Sequence, residues 1–145
     1  MRKFFLAFLI YFTSLISVSL AQQSMVPLKQ YINKNNVNDV AVQSYVFNRC
    51  AAVSLYISAL NQSAADQRIA IQTKKNYETF AELNLIHLTT KGNMKDKDAQ
   101  KNIFDNIPPM SKAYGVDGQA NFVKTGEYTT GYIFEDFQIC NAMLR

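Results

Sequence analysis

The chain has 145 residues, 48% of them hydrophobic and 18% charged, with Lys+Arg 15 against Asp+Glu 11, two Cys, one His and no Trp. Two Cys and one His cannot supply the ligands of a His/Cys zinc site or an iron-sulfur cluster, and so large an apolar fraction excludes a disordered chain. Length and composition fit one globular domain, with neither a metal nor another cofactor expected.

Met1 to Ala21 reads as a secretory signal peptide. Arg2 and Lys3 give the positive start, the apolar run from Phe4 to Ile16 is short for a membrane span, and Ser19 and Ala21 put small residues before the cut. The alternative is an uncleaved N-terminal anchor helix. Cleavage after Ala21 would remove Arg2 and Lys3 and lower the net charge from +4 to +2. No long Lys/Arg run remains, so nucleic acid is not an expected partner. No later stretch is apolar for long enough to suggest a membrane span, and the expected location is periplasmic or secreted.

Residues 22–38 are polar and Asn-rich with Pro27, and read as a loosely ordered arm before a single helical domain over 39–145. Val42, Val46, Cys50, Val53, Ile57 and Leu60 then recur at spacings of four and three, which predicts a central helix of about six turns. Arg49 is its only charge. Ser63 and Asp66 resemble an N-cap and a first-turn acid, opening a second helix from Ala64 to about Thr90. Its expected inner face is Ile69, Thr73, Tyr77, Phe80, Leu83 and His87 or Leu88, with Gly92 as the stop.

A third helical segment begins near Lys95, carries Ile103, Phe104 and Ile107, and meets Pro108-Pro109, which are expected to interrupt it before a further turn through Ala113 and Tyr114. Four of the five Gly lie between Gly115 and Gly131, predicting either a long loop or a weakened helix that stops at Thr125-Gly126. A last helix from about Thr129 to Leu144 turns Ile133, Phe137, Cys140 and Leu144 inward. No β-alternation is present. The fold class is all-α, a four-helix bundle whose third helix is broken or continuous.

Cys50 and Cys140 each fall on an apolar helix stripe, and two core-facing Cys in an exported chain predict one interhelical disulfide. The alternative makes Cys50 a free nucleophile with His87 as its base, which would also need an orienting group, an oxyanion site and an open cleft. A disulfide would place Arg49 beside Asp136, one turn before Cys140. That pair reads either as a partly buried ion pair, or as an anion-binding pocket at Arg49 with Tyr45 or Tyr56 nearby.

Other motifs lack their companions. Lys124-Thr125-Gly126 has no Ser-x-x-Lys, and Gly126 to Gly131 has P-loop spacing but runs into Tyr132-Ile133. Asp96, Asp98 and Gln100 start like a calcium loop that ends without its Glu. Asn61-Gln62-Ser63 is a lone glycosylation sequon. Glu135 and Asp136 are adjacent and point apart on a helix. No catalytic constellation is found, which argues against an enzyme.

Arg49-Cys50 early, then Asn121, Thr125-Gly126-x-Tyr128 and Asp136-x-x-x-Cys140, together resemble a loose group of small exported all-helical bacterial and phage-type proteins of uncharacterised function. The resemblance implies the helical fold and the paired cysteines. It also implies structural roles for Asn121, Thr125, Gly126 and Asp136, as helix stop, caps and the partner of Arg49. The expected function is an exported, non-enzymatic binding or protein-interaction module whose partner is another exported or envelope protein. Its contact surface is expected over Gly115 to Tyr132, with Asn121, Thr125, Gly126 and Tyr128, and at the adjoining Tyr114. The runner-up is a small-ligand binder with a pocket between helices around Arg49.

Overall fold

The computed structural model describes residues 25–64 and 67–145. The signal-peptide reading of Met1 to Ala21 lies outside them, as does Asp66. The described residues form α1 (Leu28–Lys34), α2 (Val40–Leu60), α3 (Arg68–Thr90), α4 (Asp96–Thr125) and α5 (Tyr132–Met143), with no strand. The all-α class therefore stands, with five helices where the sequence suggested four.

α2 is the hub. It packs on each of the other four helices, while α3 also meets α4, and α1 lies on α5. Asp39 starts α2 by accepting hydrogen bonds from the Ala41 and Val42 N–H groups through its carboxylate. Cys50, Ala51, Ala52 and Val53 are fully buried, and small side chains all round the helix let neighbours approach from several sides. Some of its buried polar groups are paired across helices: Ser58 Oγ donates to the Ala70 carbonyl oxygen at 3.0 Å, whereas Ser54 Oγ has no partner among the described residues.

The loosely ordered arm expected over 22–38 is corrected within its described residues, 25–38. Leu28–Lys34 is helical, and Leu28 is completely buried in the hydrophobic core. Only three side chains of this segment, Leu28, Tyr31 and Ile32, show the apolar spacing of a helix, a single turn that does not outweigh its polar composition.

α3 begins at Arg68 rather than Ala64, behind a turn closed by Ala64 N–H to the Asn61 carbonyl at 3.2 Å. Its inner face is Ala70, Thr73, Asn76, Phe80, Asn84 and Leu88. Ile69 and Leu83, expected inside, are exposed. The face is rotated because α2 and α5 offer polar partners: Asn84 Nδ2 donates to Asn48 Oδ1 at 2.8 Å, and Asn76 Nδ2 to Asn141 Oδ1 on α5 at 2.9 Å. A neutral amide satisfied across an interface can occupy a core position that periodicity assigns to Ile or Leu.

α4 runs unbroken through Pro108-Pro109 for 30 residues. Proline removes a donor from the carbonyl four residues earlier. Those carbonyls belong to Phe104 and Asp105, and all four residues are exposed, so water can take over the missing bonds. Of the two readings of the Gly-rich stretch, the weakened helix ending at Thr125 is the one found. Gly126 caps it in the left-handed region at φ 78°, and its N–H bonds the Phe122 carbonyl at 2.8 Å.

Gly118 has a different reason to be glycine. A methyl group there would lie 1.9 Å from Tyr56 Oη, 2.8 Å from Tyr56 Cζ and 3.0 Å from the Tyr128 carbonyl oxygen. In an exposed helix Gly→Ala gains about 1 kcal/mol. Here Gly118→Ala is expected to destabilise by about 1–3 kcal/mol through overpacking. The Tyr56 hydroxyl is buried with no partner among the described residues, so Tyr56→Phe alone should be neutral or stabilising. In the double variant it should relieve part of the Gly118→Ala cost. Urea unfolding of the three variants checks this; a Gly118→Ala protein more stable than the parent would refute the packing argument.

Candidate functional site

The charge constellation expected beside the cysteines sits in the centre of the fold. Cys50 on α2 and Cys140 on α5 form a disulfide with Cα atoms 5.3 Å apart. Neither thiol is available as a nucleophile in this state. Arg49 and Asp136, each the neighbour or one turn from a bridged Cys, are both completely buried and ion-paired through Nη2 and Oδ2.

The rest of the guanidinium is also occupied by protein. Nε donates to Tyr114 Oη at 2.9 Å, and Nη1 donates to Tyr45 Oη at 3.0 Å and to the Val26 carbonyl oxygen at 3.1 Å. Its Cζ lies 5.1 Å from the centre of the Tyr114 ring and 5.8 Å from that of Tyr45. Asp136 in turn accepts the Tyr114 hydroxyl at Oδ2 (2.6 Å) and the Leu28 N–H at Oδ1 (2.7 Å). One buried ion pair thus ties α1, α2, α4 and α5 together.

The electrostatics follow from this saturation. Burial pulls the Arg49 pKa down, but Tyr114, Asp136 and Tyr45 outweigh it and raise it above the ordinary arginine value, so the charge is permanent. Burial pushes the Tyr114 phenol well above its usual range. Asp136 adds to that and Arg49 opposes it, so the hydroxyl stays protonated and donates to Asp136. Burial likewise raises Tyr132, helped by its hydrogen bond to Asp117. The rings of Tyr56, Tyr114 and Tyr132 stack in sequence at 6.2 and 6.0 Å, a wall along the closed end of the network.

Of the two readings of Arg49, the structure contains the ion pair. An anion would have to displace Asp136, Tyr114 or Tyr45 from a group with no exposed surface. Sequence reasoning placed Arg49 and Asp136 together but missed Leu28, Val26 and the role of Tyr114. Tyr114 lies seven residues after the buried Ile107, and that spacing is the signal that would have put it on the inner face.

The expected contact residues divide. Tyr114 is fully buried and cannot be a contact surface. Asn121 Nδ2 bonds the Thr130 carbonyl at 3.2 Å, and Thr125 Oγ1 bonds the Asn121 carbonyl at 2.9 Å and receives the Glu127 N–H at 3.2 Å. With Gly126 these residues stop α4 and turn the chain. Tyr128 is half-buried, its ring stacked 4.4 Å from that of Phe122.

His87 Nε2 lies 3.2 Å from the Val40 carbonyl oxygen, a contact that needs a proton on Nε2, and its ring meets Phe47 edge-on. Among the described residues no group of three His, Cys, Asp or Glu side chains could hold a metal ion. No helix among them is long and apolar enough to cross a membrane. No known protein family, curated protein or solved structure matches the chain.

Proposed function

We propose that the protein is an exported, non-enzymatic helical module that binds another exported or envelope protein. The N-terminal 21 residues have the charge and apolar pattern of a secretory signal, and a disulfide is compatible with that route. The two Cys are bonded to each other, Arg49 is paired with Asp136, and His87 contacts the Val40 carbonyl, so the Cys50–His87 nucleophile pair is not formed.

The observation that carries the reading is the solvent side of α4. Phe104 and Val123 are 77% and 78% exposed, and Val116 and Phe122 each 41%. Val116 and Val123, seven residues apart, share one helix face, Phe122 adjoins Val123, and Phe104 lies farther along on another face; grouped exposed apolar side chains mark a contact surface more often than solitary ones do. The surface lies within the Gly115 to Tyr132 region, but its side chains are Val116, Phe122 and Val123 rather than the turn-forming Asn121, Thr125 and Gly126.

A photo-crosslinker at Val123, with one at the exposed Lys75 of α3 as control, tests this on protein expressed through the secretory route. The expected result is a defined partner captured at 123 and not at 75, lost in Val116→Asp/Val123→Asp while thermal unfolding stays unchanged. Equal capture at both positions, or none, overturns the reading.

A further inference from the structure

A cleft of about 640 Å³ lies on another face, between the start of α2, the end of α3 and the first half of α4. Its size falls in the range of small-ligand sites. Ser44 and Asn48 of α2 and Asn102 and Asn106 of α4 line it. We propose that this cleft is a binding site for a neutral saccharide. The proposal is independent of the α4 contact surface above.

The amides are oriented from behind. Asn84, fully buried on α3, donates its Nδ2 to Asn48 Oδ1 at 2.8 Å, which leaves the Asn48 NH2 as the donor to the next amide. Asn48 Nδ2 then lies 3.4 Å from Asn102 Oδ1, which turns the Asn102 NH2 outward in its turn. Asn106 Nδ2 is held by the Asn102 carbonyl at 2.7 Å, leaving its Oδ1 as an acceptor. The cleft therefore presents fixed donors beside a fixed acceptor, the pattern that pairs with vicinal hydroxyls. Asn84 Oδ1 is buried and has no partner among the described residues. An incompletely satisfied core amide calls for an explanation, and orienting the two amides in front of it is one.

The remaining lining selects against other ligands. Asp39 spends its carboxylate on capping α2, and Lys91 is the one cation in the lining, so the cleft has no excess of either charge. Val40, Leu88 and Met94 supply an apolar strip for the C–H face of a sugar ring. An extended peptide needs a sheet edge for its backbone, and a Pro-rich one needs an aromatic-lined groove. The described residues contain no strand, and Tyr45 is the one aromatic in the lining.

Titration of the isotope-labelled protein with triacetylchitotriose and with maltotriose, followed by NMR of the side-chain amides, tests the proposal. At least one saccharide should bind saturably and shift the NH2 signals of Asn48, Asn102 and Asn106. Asn106→Leu, whose amide bonds only its own helix, should weaken binding about tenfold with unchanged thermal unfolding. Asn102→Leu should do the same or more. Val116→Asp/Val123→Asp should bind saccharide like the parent, whatever becomes of its protein partner. Absence of binding by both saccharides to folded protein, or shifts confined to residues outside the cleft, overturns the proposal. So does saturation of the cleft by a neutral Ala/Ser peptide that the saccharides fail to displace.

Discussion

Replacing both bridged cysteines, as Cys50→Ala/Cys140→Ala, is expected to lower the free energy of unfolding by about 4–5 kcal/mol in the chain-entropy description. The bridge closes a loop of 90 residues, and a loss of that size is comparable to the whole stability of many small domains. The effect should be uneven along the chain. α5 is short and meets α2 and α1 but is held chiefly by Ile133, Asp136 and Cys140, its buried residues. α1 rests on α5 and on the Asp136 carboxylate. The α2, α3 and α4 core has its own extensive packing. Hydrogen exchange of the variant should therefore show the largest loss of protection in α5 and α1. Urea unfolding with and without reductant gives the total, and coincident midpoints for the oxidised and reduced protein would refute the estimate.

What the sequence made legible follows from how local each signal is. The α2 stripe from Val42 to Leu60 and the inward Ile133, Phe137 and Cys140 of α5 are repeats within one helix, and they led directly to the disulfide and to Arg49 beside Asp136. The bond from Leu28 N–H to Asp136 spans 108 residues, and nothing near Leu28 announces it, so α1 read as a polar arm. α3 misled for a different reason. Ile69 and Leu83 look like core, but Asn76 and Asn84 are inside because acceptors on α5 and α2 await them. Helix periodicity records apolar spacing and is blind to a partner on another helix. Pro108-Pro109 likewise reads as a break until the exposure of Phe104 and Asp105 shows that water can serve their carbonyls. The cleft of Asn48, Asn102 and Asn106 is assembled from three helices and had no linear motif to find.

Asp136→Asn is expected to cost about 3–5 kcal/mol, because it leaves the buried Arg49 guanidinium without its counter-charge. The amide still offers Oδ1 to the Leu28 N–H, so α1 should stay docked and the loss should come from the charge. Arg49→Met should cost a similar amount for the converse reason, and neither loss should respond much to salt, since both groups are shielded from solvent ions. The double variant Arg49→Met/Asp136→Leu separates charge from hydrogen bonding. Where a buried pair stands alone, its apolar replacement is often neutral or stabilising. Here it would also strand the Leu28 N–H and the Tyr114 hydroxyl, which donate to Asp136, and the Val26 carbonyl, which accepts from Arg49. Each stranded buried group costs about 1–3 kcal/mol. The double variant should thus be more stable than the sum of the single losses predicts, yet clearly less stable than the parent. A double-mutant cycle by urea unfolding measures both quantities. A double variant as stable as the parent would mean that Tyr114, Leu28 and Val26 find other partners or water. An Arg49→Met protein as stable as the parent would remove the ion pair from any account of how four helices are held at one point.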